Sequence, residues 1–261
     1  MGMRLKNIFV TNDDGITARG IHVLAKALSG IADVYVCAPD RQRTAAGHGI
    51  TVSEKLYVVE APFEEAKKAY SCSGTPADCV KLGLEVFRSQ GIEIDLVCSG
   101  INHGANLGTD VLYSGTVSAA LEGVICGVPS IAFSSCSHQP EHLEVYDRFA
   151  AQVCRAVWGK LDNNTVLNVN APDLPAEEIR GVKFVRQGIR EYENTFDPAA
   201  DEEGKTYYEY SSKPAVYEDL PADMDVMASQ DHYITVTPLQ YDLTNHRMID
   251  EVAGWGIEFQ R

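Results

Sequence analysis

No stretch of this 261-residue chain is apolar for long enough to cross a bilayer, because the longest run, around Val124 to Phe133, is interrupted by Gly127 and Pro129. No membrane association is therefore expected. The first apolar run, Ile8-Phe9-Val10, ends at once on Asn12-Asp13-Asp14, so no secretory leader is expected either. Basic charge is scarce: 22 Lys and Arg face 37 Asp and Glu, for a net charge of −15. Such acidity repels a polyphosphate backbone, and no Lys/Arg stripe interleaved with aromatics offsets it, which excludes long nucleic acid as a partner. Paired cysteines are lacking too. The seven cysteines are odd in number, contain no Cys-x-x-Cys and sit partly in apolar runs, so they read as reduced core thiols of a cytoplasmic protein. No Gly-x-Ser-x-Gly elbow anchors a serine hydrolase triad. His138 and His142 have the spacing of a zinc pair, but Pro140 lies between them and no third ligand is near, which points to a surface loop.

What is present is the composition of a folded protein, with 45% hydrophobic and 23% charged residues. The acidity is concentrated. Residues 191–231 hold twelve Asp and Glu against two Lys, most of the net charge.

Strand-like and helix-like segments alternate along the first 189 residues. Ile8 to Thr11 reads as a strand, Ile21, Leu24, Ala25 and Leu28 mark one helix face, and Asp33 to Ala38 reads as a second strand, a βαβ unit with a right-handed crossover. After an irregular loop at 40–54, strands are predicted at 56–59, 94–98, 130–134 and 166–169, with helices at 76–89, 115–126 and within 143–161. This predicts a doubly wound α/β fold with a mostly parallel, Rossmann-like sheet over 1–189. Beyond Arg190 the alternation fails. Tyr-rich pieces such as Tyr207-Tyr208-Glu209-Tyr210, Tyr217, and the alternating Tyr233 to Thr237 suggest a C-terminal hairpin and arm over 190–261.

In such sheets the ligand crevice lies beyond the carboxyl ends of the strands. After the first strand comes Asn12-Asp13-Asp14-Gly15, where a turn relaxed by Gly15 can aim both carboxylates at one point. Two such carboxylates repel unless a cation or proton lies between them, and the plain alternative is an Asp-Asp-Gly turn. After the second comes Pro39 to Gly49, whose glycines free backbone N–H groups for an anion while Thr44 offers a hydroxyl and Arg41, Arg43 and His48 offer donors. A solvated loop explains it equally well. The segment Ser99 to Gly108 reads as a glycine-punctuated loop in which Asn102 suits a hard cation and Asn106 could reach a substrate, or else as an Asn/Gly turn cluster. It is not a Walker A loop or a dinucleotide fingerprint. Two helix starts could receive an anion. Plain capping accounts for Thr75-Pro76-Ala77-Asp78, whereas the Ser114-Gly115-Thr116 cluster reads as a phosphate contact.

Asn12-Asp13-Asp14-Gly15, Ala38-Pro39-Asp40-Arg41 with Gly47-His48, Ser73-Gly74-Thr75-Pro76-Ala77-Asp78-Cys79-Val80, Ser99-Gly100-Ile101-Asn102-His103-Gly104-Ala105-Asn106 and Tyr113-Ser114-Gly115-Thr116-Val117-Ser118 together resemble the motifs of the SurE survival-protein family. The five ordered motifs span roughly residues 8–135; residues 190–230 match only loosely.

The resemblance implies a divalent-metal-dependent nucleotidase that removes phosphate from 5′- and 3′-nucleoside monophosphates, some members also cleaving short polyphosphate. It implies one Mg²⁺ or Mn²⁺ per subunit, held by Asp13, Asp14, the Thr44 hydroxyl and Asn102, of which Asp13, Asp14 and Asn102 are also the catalytic set. Asn12, Gly47, His48, Asn106, Ser114, Gly115 and Thr116 are implied as phosphate-facing. Two positions depart from the family pattern: Thr44 stands where Ser is usual, and Gly49 replaces a serine after Gly-His. Family members assemble as homodimers or homotetramers through C-terminal segments, which suits an arm at 190–261. The alternatives are a non-catalytic nucleotide-binding sensor on the same fold and a glycosyltransferase-like protein using paired aspartates on a metal-bound nucleotide.

Overall fold

Residues 7–39 fold as their pattern predicts. In a computed structural model that describes residues 5–193, 196–210, 213–214 and 220–259, β1 (Asn7–Thr11), α1 (Arg19–Ser29) and β2 (Asp33–Pro39) form a parallel βαβ unit, and Ile21, Leu24, Ala25 and Leu28 are fully buried on one face of α1. There follow β3 (Val58–Glu60), β4 (Lys68–Cys72), α2 (Pro76–Ser89), β5 (Leu96–His103), α3 (Gly115–Ile125), β6 (Ser130–Ser135), α4 (Tyr146–Val157) and β7 (Thr165–Ala171). The remaining elements are β8 (Val182–Phe184), β9 (Tyr192–Glu193), β10 (Phe196–Ala200), β11 (Thr206–Tyr210), β12 (Lys213–Pro214), α5 (Asp225–Gln230), β13 (Ile234–Gln240) and α6 (Ile249–Ala253).

Nine strands make the main sheet, in the order β3-β4-β2-β1-β5-β6-β7-β13-β8. The pairs from β4 to β7 are all parallel, while β3 on β4 and β13 on β7 are antiparallel. Helices cover both faces. Ile21, Leu24 and Leu28 of α1 and Tyr146 and Ala150 of α4 fill one apolar layer, and Val80, Leu84 and Phe87 of α2 with Ala119 of α3 fill the other. Because β1 sends the chain to β2 on one side and has β5 on the other, the winding reverses between β1 and β5. That reversal opens a crevice at their carboxyl ends. Among the described residues no helix is long and apolar enough to cross a membrane.

Several elements differ from expectation. The strand β4 is not predicted from sequence. The strand expected at 56–59 is found at Val58–Glu60, and β5, expected to end at Cys98, continues through His103. Ser99 to His103 is thus a strand end rather than a loop, because Ile101 is fully buried. At Gly100, with φ of +135°, a Cβ would lie 2.2 Å from the Phe133 carbonyl oxygen, so only glycine lets β5 lie so close to β6. The Tyr-rich piece is a hairpin, β10 paired antiparallel with β11, but the later alternating run is β13, built into the main sheet between β7 and β8. Tyr217 lies outside the described residues. All seven cysteines are free thiols, five of them buried.

Candidate active site

The crevice is a cavity of about 750 Å³ at the β1–β5 reversal. Its floor comes from the residues just past β1. Asn12 is fully buried and closes the turn with both atoms of its amide: Nδ2 donates to the Gly15 carbonyl (2.9 Å) and Oδ1 accepts from the Gly15 N–H (3.2 Å). That turn presents Asp13 and Asp14 to the cavity.

Asp13 is 5% exposed and accepts a 2.5 Å hydrogen bond from the Thr116 hydroxyl. Burial pushes its pKa up to about 6, against the lowering effect of the Thr116 bond and with a further push from the Asp14 charge. Asp14 accepts the His103 backbone N–H at 3.0 Å and the Gln42 side-chain amide at 3.4 Å. Among the described residues no Lys or Arg is ion-paired with either carboxylate; the nearby Arg43 guanidinium instead donates to the Ser73 carbonyl. Two adjacent carboxylates, one of them buried, thus share a site without a protein cation.

Asn102, at the end of β5, donates through Nδ2 to the Gly104 carbonyl at 2.8 Å, and among the described residues nothing donates to its Oδ1. Thr44 is brought to the cavity by the loop after β2, where the Arg43 N–H donates to the Asp13 carbonyl (2.7 Å) and the Gly47 N–H to the Tyr113 carbonyl (3.1 Å). The donor set is therefore two carboxylates with neutral amide and hydroxyl oxygens. Among the described residues there is no group of three or more His, Cys, Asp or Glu placed to hold a metal.

Asn106 lines the cavity and is fixed from all sides. Its N–H donates to Asn170 Oδ1, its Nδ2 to Ser134 Oγ, and its carbonyl accepts from Asn168 and Asn170. Ser114 also lines the cavity, but its hydroxyl caps α3 by accepting the Val117 N–H at 3.0 Å. Gly115 and Thr116 stand behind Asp13 rather than on the cavity surface. A Cβ on Gly115 would lie 2.8 Å from Asp13 Cβ, so glycine lets the helix start against the carboxylate. Gly47 and His48 are not among the lining residues either. His48 Nε2 pairs with Glu122 Oε2 (2.9 Å), and Lys81 Nζ holds the other oxygen (2.8 Å). As capping alone had suggested, Thr75 and Asp78 form a reciprocal capping box at α2.

Sequence reasoning passed over the opposite wall. Asp110 Oδ2 accepts from Arg190 Nη1 (2.8 Å) and from the Tyr192 hydroxyl, while Thr109 Oγ1 exchanges hydrogen bonds with the Arg190 main chain. This wall is fastened from below by Asp225, fully buried in α5, which accepts the N–H groups of Gly108, Gly188 and Val226. Desolvation raises the Asp225 pKa in spite of those bonds.

Fold and site together define a doubly wound α/β protein with a carboxylate-floored small-molecule site at its topological switch point. The model of the survival protein SurE family matches residues 8–194. The chain is 46% identical over 260 residues to the 5′-nucleotidase SurE of Trichormus variabilis, covering 95% of this chain and 97% of that protein. It is 45% identical over 246 residues to the 5′-nucleotidase SurE of Syntrophomonas wolfei, covering 94% and 92%. The crystal structure of the SurE protein from Aquifex aeolicus superposes with a TM-score of 0.82 at 38% identity, over 94% of this chain and 98% of that one. The chain belongs to the SurE family.

Proposed function

We propose that this cavity hydrolyses nucleoside monophosphates to nucleoside and phosphate, as a divalent-cation-dependent 5′-nucleotidase. The observation that carries the reading is the Asp13–Asp14 pair at the switch point, two adjacent carboxylates, Asp13 buried, with no cationic partner among the described residues. A hard divalent ion satisfies that floor, and oxygen donors from Asp13, Asp14, Thr44 and Asn102 suit Mg²⁺ or Mn²⁺ better than a thiolate-seeking metal. When bound, the ion supplies neutralisation of the substrate phosphate and a water of lowered pKa. The chain's own groups position the reactants. Thr116 orients Asp13, the His103 N–H orients Asp14, and Asn106 and Ser114 face the phosphoryl oxygens beside the positive end of α3. His48, held by Glu122, ties down the loop that carries Thr44.

The test is phosphate release from a panel of nucleoside monophosphates. Chelation is expected to abolish release, and added Mn²⁺ or Mg²⁺ to restore it; full turnover by metal-free protein contradicts the reading. Binding of nucleotide without any release under all cations identifies a sensor instead. Thr44→Ser is expected to keep activity within about threefold, because it retains the oxygen, whereas Thr44→Ala raises the metal concentration for half-activity roughly tenfold. Equal metal titration midpoints for Thr, Ser and Ala exclude Thr44 from the site.

Residues 190–261, apart from β13, α5 and the cavity-wall residues Arg190, Tyr192 and Phe196, serve assembly into a homodimer or homotetramer in this reading. Leu243, Trp255, Ile257 and Phe259 all stand exposed on the single chain, as surfaces covered by a second copy do.

A further inference from the structure

Hydrolysis of a phosphomonoester asks for a proton at the leaving oxygen as well as for an activated water, because the alkoxide of a sugar alcohol is a poor leaving group. Few of the groups that line the cavity can supply one. Asp13 and Asp14 face the cation in the nucleotidase reading, and Asp110 is engaged by Arg190 and Tyr192. His48 lies outside the lining and is tied to Glu122, which leaves two imidazoles, His103 and His138. The His103 ring is committed to the body of the protein. Its Nε2 is buried without a hydrogen-bond partner, and a Cβ on Gly20 of α1 would lie 3.4 Å from it.

His138 has the opposite character. It is exposed, it lines the cavity, and among the described residues no hydrogen bond or ion pair engages its ring. The ring rests on Gly104, where a Cβ would lie 2.9 Å from both its Nδ1 and its Cε1. The Gly104 backbone, with φ of +129°, itself calls for glycine, and the missing side chain leaves a seat for the imidazole. Asn102 Nδ2 lies 3.7 Å from the same point, which sets the ring beside the cavity floor. The loop that carries His138 is fixed on both sides. The Cys136 N–H donates to the Ala171 carbonyl (2.9 Å), Asp173 accepts the N–H groups of Glu141 (3.0 Å) and His142 (2.8 Å), and Arg19 donates to the Pro140 carbonyl (3.2 Å). An anchored backbone thus offers an uncommitted imidazole to the cavity, the arrangement a proton donor needs.

We propose that His138 is the general acid of the reaction, giving its proton to the oxygen that leaves with the nucleoside. The proposal rests on the nucleotidase reading for the substrate and on the seat at Gly104 for the residue. In this step the water oxygen bonds to phosphorus as the ester P–O bond breaks, and the ester oxygen keeps the bonding pair and takes a proton from the imidazolium. The proton that the water loses returns through solvent to the neutral imidazole. Water and phosphomonoester therefore give alcohol and phosphate with no other reactant.

The experiment compares wild type, His138→Asn and His138→Gln on AMP and on p-nitrophenyl phosphate, whose phenolate leaves without a proton. Both variants are expected to lower kcat for AMP by on the order of 10²-fold and kcat for p-nitrophenyl phosphate by less than about threefold, with KM for both substrates unchanged. Mn²⁺ binding, titrated by calorimetry without substrate, is expected to match wild type, which also shows that the variants are folded. Equal losses on the two substrates, a weakened Mn²⁺ isotherm or undiminished turnover of AMP each overturn the assignment. A wild type that cleaves ribose 5-phosphate but no nucleotide sinks the nucleotidase reading, and the same comparison with ribose 5-phosphate in place of AMP then judges His138. A wild type that cleaves none of the three substrates sinks both.

Discussion

Asp13→Asn and Asp14→Asn are each expected to lower kcat/KM for nucleoside monophosphates by on the order of 10³-fold, or about 4 kcal/mol of transition-state stabilisation. Each substitution keeps the shape of the side chain and removes one negative charge from the floor that offsets a divalent ion. Metal affinity, measured by titration in the absence of substrate, is expected to fall with activity. Undiminished affinity in both variants separates the carboxylates from the metal and refutes their assigned role.

The same variants have an opposite effect on the metal-free fold. Because the folded-state pKa of Asp13 is raised from 3.8 to about 6, its contribution to stability is fully present below pH 3.8 and is lost as pH rises through 6. At pH 7 the ionised, buried carboxylate therefore costs on the order of 3 kcal/mol, and Asp13→Asn removes that cost. Thermal unfolding in chelator should show the Asp13→Asn variant melting higher than wild type at pH 7, by an upper bound of roughly 10 °C, with the difference vanishing near pH 4. A variant that melts lower at pH 7 shows that the turn at Asp13 is structural in the first place.

The second large effect is on stability and comes from Asp225→Ala. That carboxylate is fully buried and receives three backbone N–H groups, so truncation leaves donors at Gly108, Gly188 and Val226 without an acceptor. A loss of about 4 kcal/mol is expected, seen as a fall in Tm of roughly 10 °C or more. Asp225→Asn keeps one acceptor oxygen and should lie between Ala and wild type. A shift below about 1 kcal/mol in the Ala variant means that solvent replaces the carboxylate and the wall is not fastened there.

Much of this arrangement is legible in the residue order because it is local. The spacing of Ile21, Leu24, Ala25 and Leu28 specifies α1 and its buried face, and the abrupt change from Val10 to Asn12-Asp13-Asp14 places the acids just beyond a strand. Elsewhere the local signal misleads. Gly100 and Asn102 look like loop residues, yet the glycine is there so that β5 can lie against β6, and only the buried Ile101 betrays the strand. The strand β4 is disguised by Lys68 at its start and by only two buried positions, Ala69 and Cys72. The wall of the cavity is harder still. Asp110 meets Arg190 across 80 residues, and Asp225 meets Gly108 across 117, so neither partnership leaves a periodic trace.

The place of β13 in the sheet has a consequence for how the chain is made. Its partner β7 ends at Ala171, but the pairing is completed only when Gln240 has been synthesised. At about 5–20 residues per second the 69 residues from 172 to 240 take roughly 3–14 s to emerge. For that interval the nascent sheet exposes one long edge of β7, with unpaired N–H and carbonyl groups along Thr165–Ala171, to any neighbouring chain. Ribosomes that pause between these two strands lengthen the period in which such chains can aggregate, so the speed of translation through this stretch bears directly on the yield of folded protein.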